Sequence, residues 1–290
     1  MNAHHPLDLA EAAALLERHP DYRVLRALPT PDRFTLAEPE GRVRTAAVID
    51  VETVGLDPDD PIIDLAIQRI GFDARGRIVR LGRLRQWFED PGMPIPAEIT
   101  RLTGIGDADV AGQRIDEVEA MALIAGSDVM IAHNAAFDAP RVERRLPGVA
   151  GRAWACSCHE VSWLECGLDG RKLGHLLMQL GLFHQGHRAG ADVWATVNLL
   201  SQVMPDGETA LHRLIARAEQ PTLRIEATHA PFAAKDALKA RGYRWNVAAR
   251  VWAKEVAVDN ETAEREWLRE ICSCVAPAAR AVGWECRHRS

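Results

Sequence analysis

The 290-residue sequence has no stretch approaching the ~20 apolar residues that a membrane-spanning helix needs. Residues 1–30 lack a basic start followed by an apolar run, so no export signal is read there. There is no excess of base either. The formal net charge is −6, which argues against a generally basic nucleic-acid coat, although local patches and bound cations can still carry such a contact. No internal repeat and no low-complexity tract stands out. The six cysteines, at 156, 158, 166, 272, 274 and 286, are crowded into two regions. Without an export signal they are expected as reduced thiols in a cytoplasmic protein with no membrane partner.

What is present suffices for a sizeable core, with 47% of residues apolar, and the length suggests roughly two domains. Residues 1–42 read as an accessory segment, helix-like over 7–16 and strand-like over 23–28, then broken by Pro29, Pro31 and Pro39. A main domain over 43–205 opens with strands over 43–51, 62–70 and 77–88, the last two joined by a turn at 73–76. Pro96 opens a short helix that ends near Gly104. Ile115, Val118 and Ala122 mark another by their spacing. A short buried strand over 129–132 precedes His133-Asn134. Pro140 fits best if the next helix begins close to Asp138, where a first-turn proline is tolerated. Leu173, Leu176, Leu177 and Leu180 form a stripe stopped by Gly181, and a last helix covers about 191–203. After a boundary at Pro205-Asp206-Gly207, a small α+β unit is expected over 221–275, with Asn260 capping a helix that carries Ala263, Trp267 and Ile271 on one face. Residues 276–290 are read as a tail.

The first strand ends in Asp50-Val51-Glu52. Strand side chains alternate, so the two acids share a face. Two carboxylates aimed together at the end of the apolar run Ala46-Ala47-Val48-Ile49 repel each other. A divalent cation resolves that repulsion, and the bland alternative is two solvated acids at a strand end. Asp138 follows the strand at 129–132 in Ala-His-Asn-Ala-Ala-Phe-Asp. His187 and Asp192 lie in His-Arg-Ala-Gly-Ala-Asp around the start of the last helix. Four acids and a histidine therefore fall at element ends expected to meet at one sheet edge.

The strings Val48-Ile49-Asp50-Val51-Glu52-Thr53-Val54-Gly55-Leu56, Ile131 to Asp138 and His187 to Asp192, with Leu102-Thr103-Gly104-Ile105 between them, resemble the DEDDh family of 3′→5′ exonucleases. That family includes the proofreading epsilon subunit of bacterial DNA polymerase III and RNase T. The resemblance covers about 46–203 and implies an α/β, RNase H-like fold: a mixed central sheet flanked by helices. It implies that Asp50, Glu52, Asp138 and Asp192 hold two divalent cations, Mg²⁺ or Mn²⁺. Two such ions ~4 Å apart stabilise the attacking and leaving oxygens of a phosphodiester. His187 is implied as the general base, a role suited to a side chain that titrates near neutrality. The implied products are nucleoside 5′-monophosphates from the 3′ end of DNA or RNA, and the implied partners are single-stranded 3′ ends in a replication or repair setting.

Thr53 and Leu56 stand where the family lines the terminal nucleotide, and Val54 stands where it commonly has threonine. Asn134 reads equally as a substrate-side group or a helix cap, and Phe137 as packing. Cys156, Cys158, His159 and Cys166 raise zinc, but the spacing is poor for a structural site. Gln179-Leu180-Gly181-Leu182-Phe183 resembles a sliding-clamp-binding peptide, against which stands the simpler reading of a helix end in the core. In the C-terminal unit, Tyr243, Trp245 and Trp252 interleave with Lys235, Lys239, Arg244, Arg250 and Lys254. That mixture can stack bases and contact phosphates, or simply form the core of a tiny domain. The unit also resembles a small domain of unknown function appended to DNA-processing proteins. Two competing functions remain: a non-catalytic or proofreading subunit of a polymerase complex, and a nucleic-acid-binding module centred on the C-terminal unit.

Overall fold

The strand Arg44–Thr53 lies at the centre of the molecule because its small and β-branched residues can be covered on both faces. The computed structural model describes residues 8–57, 59–247, 249–272, 277–284 and 287–288. In chain order the elements begin α1 (Leu9–Glu17), β1 (Arg26–Ala27), β2 (Arg44–Thr53), β3 (Ile62–Phe72), β4 (Ile78–Leu81), β5 (Arg85–Phe88), α2 (Ala97–Thr103), α3 (Asp107–Val110) and α4 (Glu117–Ala125). They continue β6 (Val129–Ala132), α5 (Ala135–Arg145), β7 (Trp154–Cys156), α6 (Leu173–Gln179), β8 (Leu182–Phe183), α7 (Ala189–Ser201) and α8 (Ala210–Ala218). The C-terminal part holds β9 (Thr222–Ala227), α9 (Lys235–Ala240), β10 (Arg244–Asn246), β11 (Val251–Ala257), α10 (Glu261–Ile271) and β12 (Ala278–Val282).

The large sheet runs β4-β3-β2-β6-β7, with β5 also pairing β3. Its β2–β3, β3–β4 and β3–β5 pairs are antiparallel, and β2–β6 and β6–β7 are parallel. Alternate residues of β2 feed two cores. Ala46 and Val48 meet α6, α7 and α8, while Ala47, Ile49 and Val51 meet α4 and α5. This is the mixed sheet flanked by helices that the sequence implies. The acids at the end of β2 lie on the α7 side of it.

Several local expectations change. The strand expected over 77–88 is two strands, because between the Leu81–Ile70 and Arg85–Ile67 pairs residues 82–84 stand opposite only Gln68 and Arg69, and the extra residue breaks the ladder. In α4 the buried residues are Ala120 and Ile124, and Val118 is exposed. Asp116 caps the helix through Glu119 N, so Ile115 precedes it and the apolar face is set one step round. Helix α5 starts at Ala135, not near Asp138, and runs through Pro140. The carbonyl left without its helical donor is that of Ala136, which stands on the exposed side. The apolar core continues past residue 205, since Leu211, Leu214, Ile215 and Ala218 of α8 pack into it.

The small sheet runs β10-β11-β9-β12, antiparallel throughout. One face carries Ile225, Val256, Leu238, Tyr243 and Leu268 as a separate core. Asn260 makes no side-chain cap to α10. The inward residues of that helix are Glu264 and Leu268 rather than Ala263 and Ile271, and the Glu264 carboxylate is held there by Lys254 Nζ at 3.0 Å.

Candidate metal centre

Asp50 and Glu52 leave β2 on one face, toward the first turn of α7, which carries Asp192. One carboxylate oxygen from each of these three residues lies within 4.8 Å of the others. Asp138 approaches from the opposite layer, in the first turn of α5. It is buried, and its Oδ1 accepts the Val51 N–H at 3.1 Å. The fold thus gathers three of the four expected acids into one ligand-sized group and sets the fourth beside the end of the strand that carries two of them, bonded to that strand's own N–H.

A fifth carboxylate joins them. Asp64 sits opposite Glu52 in the β2–β3 register, so it shares that face, and it is fully buried. Gln86 Nε2 donates to both its oxygens, at 2.9 and 2.8 Å, and Ala189 N at the start of α7 donates to Oδ2 at 3.2 Å. Asp64 therefore anchors the N-terminus of the helix that presents Asp192, the end where a helix dipole favours an anion. Gly190 lets α7 approach this closely, since a Cβ there would lie 2.4 Å from Gln86 Oε1. Asp64 lies within the strand expected over 62–70, and only its pairing with β2 turns it toward the acids. Its signal was an acid in a strand whose two faces both become covered.

The electrostatics follow from crowding. Burial, then repulsion from Asp138, Asp192, Glu52 and Asp64, holds Asp50 well above the usual carboxylate range. Glu52 is pushed to about 8 by burial and then by Asp192, Asp64 and Asp138. Burial raises Asp138 to about 7 despite the Val51 N–H and the Arg141 charge, and raises Asp64 to about 6. The donor set is entirely hard oxygen, crowded with negative charge, which fits a hard divalent cation.

A stability test follows from the signs. Each of these groups binds its proton more tightly folded than unfolded, so its contribution is fully present only below about pH 4 and is lost as pH rises through the folded values near 6 to 8. Without metal, the melting temperature should fall between pH 5 and 8, and less steeply in Glu52→Gln. Mg²⁺ or Mn²⁺ should raise it more at pH 8 than at pH 5. A flat profile, or an equal metal effect at both pH values, would contradict the charge crowding.

Two histidines flank Asp192. His187, in a left-handed conformation at φ 64°, donates its backbone N–H to Asp192 Oδ2 at 2.8 Å, and its side chain is exposed. His184 lies against the acid itself, with Nε2 2.7 Å from Asp192 Oδ1 and a nearly buried ring. Its part was not legible in the sequence, because the contact depends on how the loop before α7 folds back. A cleft of about 730 Å³ opens from Asp50 and Asp192 past His133, Asn134, Cys158, His159, Arg171, Lys172, His175, His184 and His187.

The expected substrate-side residues divide. Asn134, at φ 121°, makes no side-chain bond to the helix it precedes and lines the cleft. Leu56 projects into solvent at 83% exposure, while Arg141, a buried residue, fixes its loop by donating to Leu56 O and Asp57 O at 2.9 and 2.8 Å. Thr53 is buried and its hydroxyl is committed to Gly55 O. It shapes the loop rather than offering a free hydroxyl. Tyr243 is a correction: at 2% exposure it is core, packed parallel to Trp267, and no base can reach its ring. Trp252 is half-buried against that core, and Trp245 is the open ring of the three, at 48% exposure.

The zinc grouping does not assemble. Cys156 packs in the core on the α5 side of the sheet and Cys166 in the core on the α7 side. In the clamp-like peptide, the Gln179 amide is committed to Asp169 N and O, Leu180 packs on the core, and Leu182–Phe183 pairs with β1. The helix-end reading accounts for it. Among the described residues, no helix is long and apolar enough to cross a membrane.

The all-carboxylate centre at the end of the central strand of the mixed sheet opens directly to this cleft. The family described as Exonuclease, of RNase T type, matches residues 47–200, and the chain belongs to that family. It is 39% identical over 172 residues to a DNA polymerase III subunit epsilon-like protein of Rhodobacter capsulatus, covering 56% of this chain and 24% of that protein. It is 31% identical over 175 residues to a PolC-type DNA polymerase III of Listeria monocytogenes, covering 57% and 12%. The chain thus spans a quarter or less of the length of these curated relatives. Among solved structures it is similar to an exonuclease X in complex with 5′-overhanging duplex DNA (22% identity, 58% of this chain, 99% of that one, TM-score 0.41). It is also similar to Escherichia coli exonuclease I in complex with a dA16 oligonucleotide (16%, 81%, 65%, TM-score 0.48).

Proposed function

We propose that this nuclease removes nucleotides from the 3′ end of single-stranded DNA or RNA as 5′-monophosphates. The observation that carries this is the convergence of the Asp50, Glu52 and Asp192 carboxylates within 4.8 Å beside an open cleft. Those three residues, with Asp138 beside them, would hold two divalent ions, Mg²⁺ or Mn²⁺. When bound, the ions supply charge stabilisation for the attacking and leaving oxygens. Asp138 keeps the end of β2 in register through Val51 N, and Asp64 fixes the start of α7. His187, exposed at the cleft, takes the proton from the attacking water. Asn134 and Leu56 border the terminal nucleotide, and Trp245 is the ring of the C-terminal unit available for stacking. A cytoplasmic setting and association with a DNA polymerase go with this reading.

The test is incubation with Mg²⁺ or Mn²⁺ and 5′-labelled single-stranded DNA, duplex DNA and RNA. A descending ladder is expected, and a 3′-phosphate should block it. A labelled mononucleotide as first product would reverse the direction. No digestion of any strand would favour a non-catalytic subunit, a reading that the retention of all four acids argues against.

A further inference from the structure

The rim of the cleft away from Asp50 and Asp192 carries cations. Arg171 and Lys172 on its rim are exposed, and among the described residues neither forms an ion pair. Arg244 of β10, in the small unit, is also exposed and likewise unpaired among the described residues. Other arginines of the small unit are paired: Arg224 and Arg280 of the sheet with Glu226, and Arg241 at the end of α9 with Glu264. An unneutralised cluster facing away from an acidic centre is the complement of a phosphodiester chain whose end lies in that centre.

The register of the small sheet sets which residue faces the cleft. Trp245 pairs with Trp252, whose face carries Lys254 and Val256 toward α9 and α10. Arg244 pairs with Ala253 and so shares the opposite face with Glu255. That face is held to the nuclease core by Arg287. Its Nη1 donates to Glu160 Oε1 at 2.7 Å and Ala218 O at 2.8 Å, Nη2 donates to Gln220 O at 2.9 Å and Thr222 Oγ1 at 3.2 Å, and Nε lies 2.8 Å from Glu255 Oε1. Trp284 adds an indole N–H to Trp154 O at 2.7 Å. Glu160 immediately follows the cleft-lining Cys158 and His159. The Arg287 clasp therefore sets β10 beside the cleft. The charges of Arg244 and Arg171 both act on Cys158 and His159, where after burial they are the next influences on the two groups.

We infer that Arg244 of the small unit continues the Arg171–Lys172 rim as a phosphate-binding track for the single strand leading away from the metal centre, with the Arg287 clasp holding the two parts in register. This rests on the nuclease reading above and names how the strand upstream of the terminal nucleotide is held. It assigns the track to Arg244 and leaves the Trp245–Trp252 pair on the other face of the sheet.

The test is binding of 5′-fluorescein dT15, U15 and dT3 to the full chain, with Ca²⁺ to stall hydrolysis, across a salt series. Arg244→Glu should weaken the 15-mers about tenfold or more. It should also flatten the salt dependence by about 0.7 in logarithmic slope, one phosphate contact on a single strand. The affinity for dT3 should fall far less. Arg269→Glu, an equal charge change at an exposed site on α10, should bind the 15-mers like wild type. Unchanged 15-mer affinity and slope in Arg244→Glu would overturn the inference, as would an equal loss in Arg269→Glu. Arg244 is exposed and unpaired, so its replacement leaves the fold standing, which the melting curve checks. The binding measurement does not depend on turnover. A failure of the nuclease reading would appear as intact wild-type strands under Mg²⁺, a separate result.

Discussion

Asp50→Asn is expected to reduce nucleotide release by about 10³-fold or more, the rate equivalent of losing several kcal/mol of metal-borne charge stabilisation. The asparagine keeps the shape of the side chain and removes one of the three charges that converge within 4.8 Å. Activity should stay low even at high Mg²⁺ or Mn²⁺, because the amide cannot replace an anionic ligand between Glu52 and Asp192. The same change should have the opposite effect on the metal-free protein. Asp50 is crowded by Asp138, Asp192, Glu52 and Asp64, so neutralising it relieves repulsion and should raise the melting temperature at pH 8. A variant that loses activity through misfolding would show a lowered melting temperature instead. Turnover within tenfold of wild type would mean that Asp50 is not a ligand, and the two-ion reading would fall with it.

That pairing of lost function with gained stability is what a site built on electrostatic conflict predicts. The conflict explains why part of the site could be read from the sequence and part could not. Asp50 and Glu52 are legible because two residues on a strand share a face whatever the strand packs against. His187 and Asp192 are legible because they flank a helix start. Asp64 depends on the β2–β3 register, which puts it opposite Glu52, and register is a property of two segments rather than one. Arg141 reaches 85 residues back to Leu56 O, a contact no local pattern encodes. In the C-terminal unit, composition could say that aromatics and cations interleave. It could not say that Tyr243 goes to the core while Arg244 and Trp245 leave opposite faces of one strand. Helix α8 was missed for a different reason. Leu211, Leu214, Ile215 and Ala218 are spaced as an amphipathic stripe, but they follow the Pro205-Asp206-Gly207 turn, which reads as a boundary although the core continues beyond it.

The two histidines beside Asp192 should separate cleanly when each is replaced. His187→Ala is expected to lower turnover by about 10²–10⁴-fold, the usual worth of a general base. Its imidazole is exposed at the cleft, and only its backbone N–H is used, at 2.8 Å to Asp192 Oδ2. That bond survives truncation of the side chain, so metal affinity should be nearly unchanged, and at saturating metal, where bound ions keep the carboxylates ionised, the acidic limb of the pH–rate profile should disappear. His184→Ala acts elsewhere. Its Nε2 lies 2.7 Å from Asp192 Oδ1, and outer contacts that orient a ligand are typically worth about 10–100-fold in metal affinity or activity. The variant should therefore need more Mg²⁺ or Mn²⁺ for half-maximal rate while keeping the acidic limb. Isothermal titration of the metal, read beside the pH profile, distinguishes the two. If His187→Ala keeps near-normal turnover and the same acidic limb, and His184→Ala loses both, then the proton is taken by the histidine already in contact with Asp192. The loop holding His187 at φ 64° would then serve only to present its backbone N–H to that carboxylate.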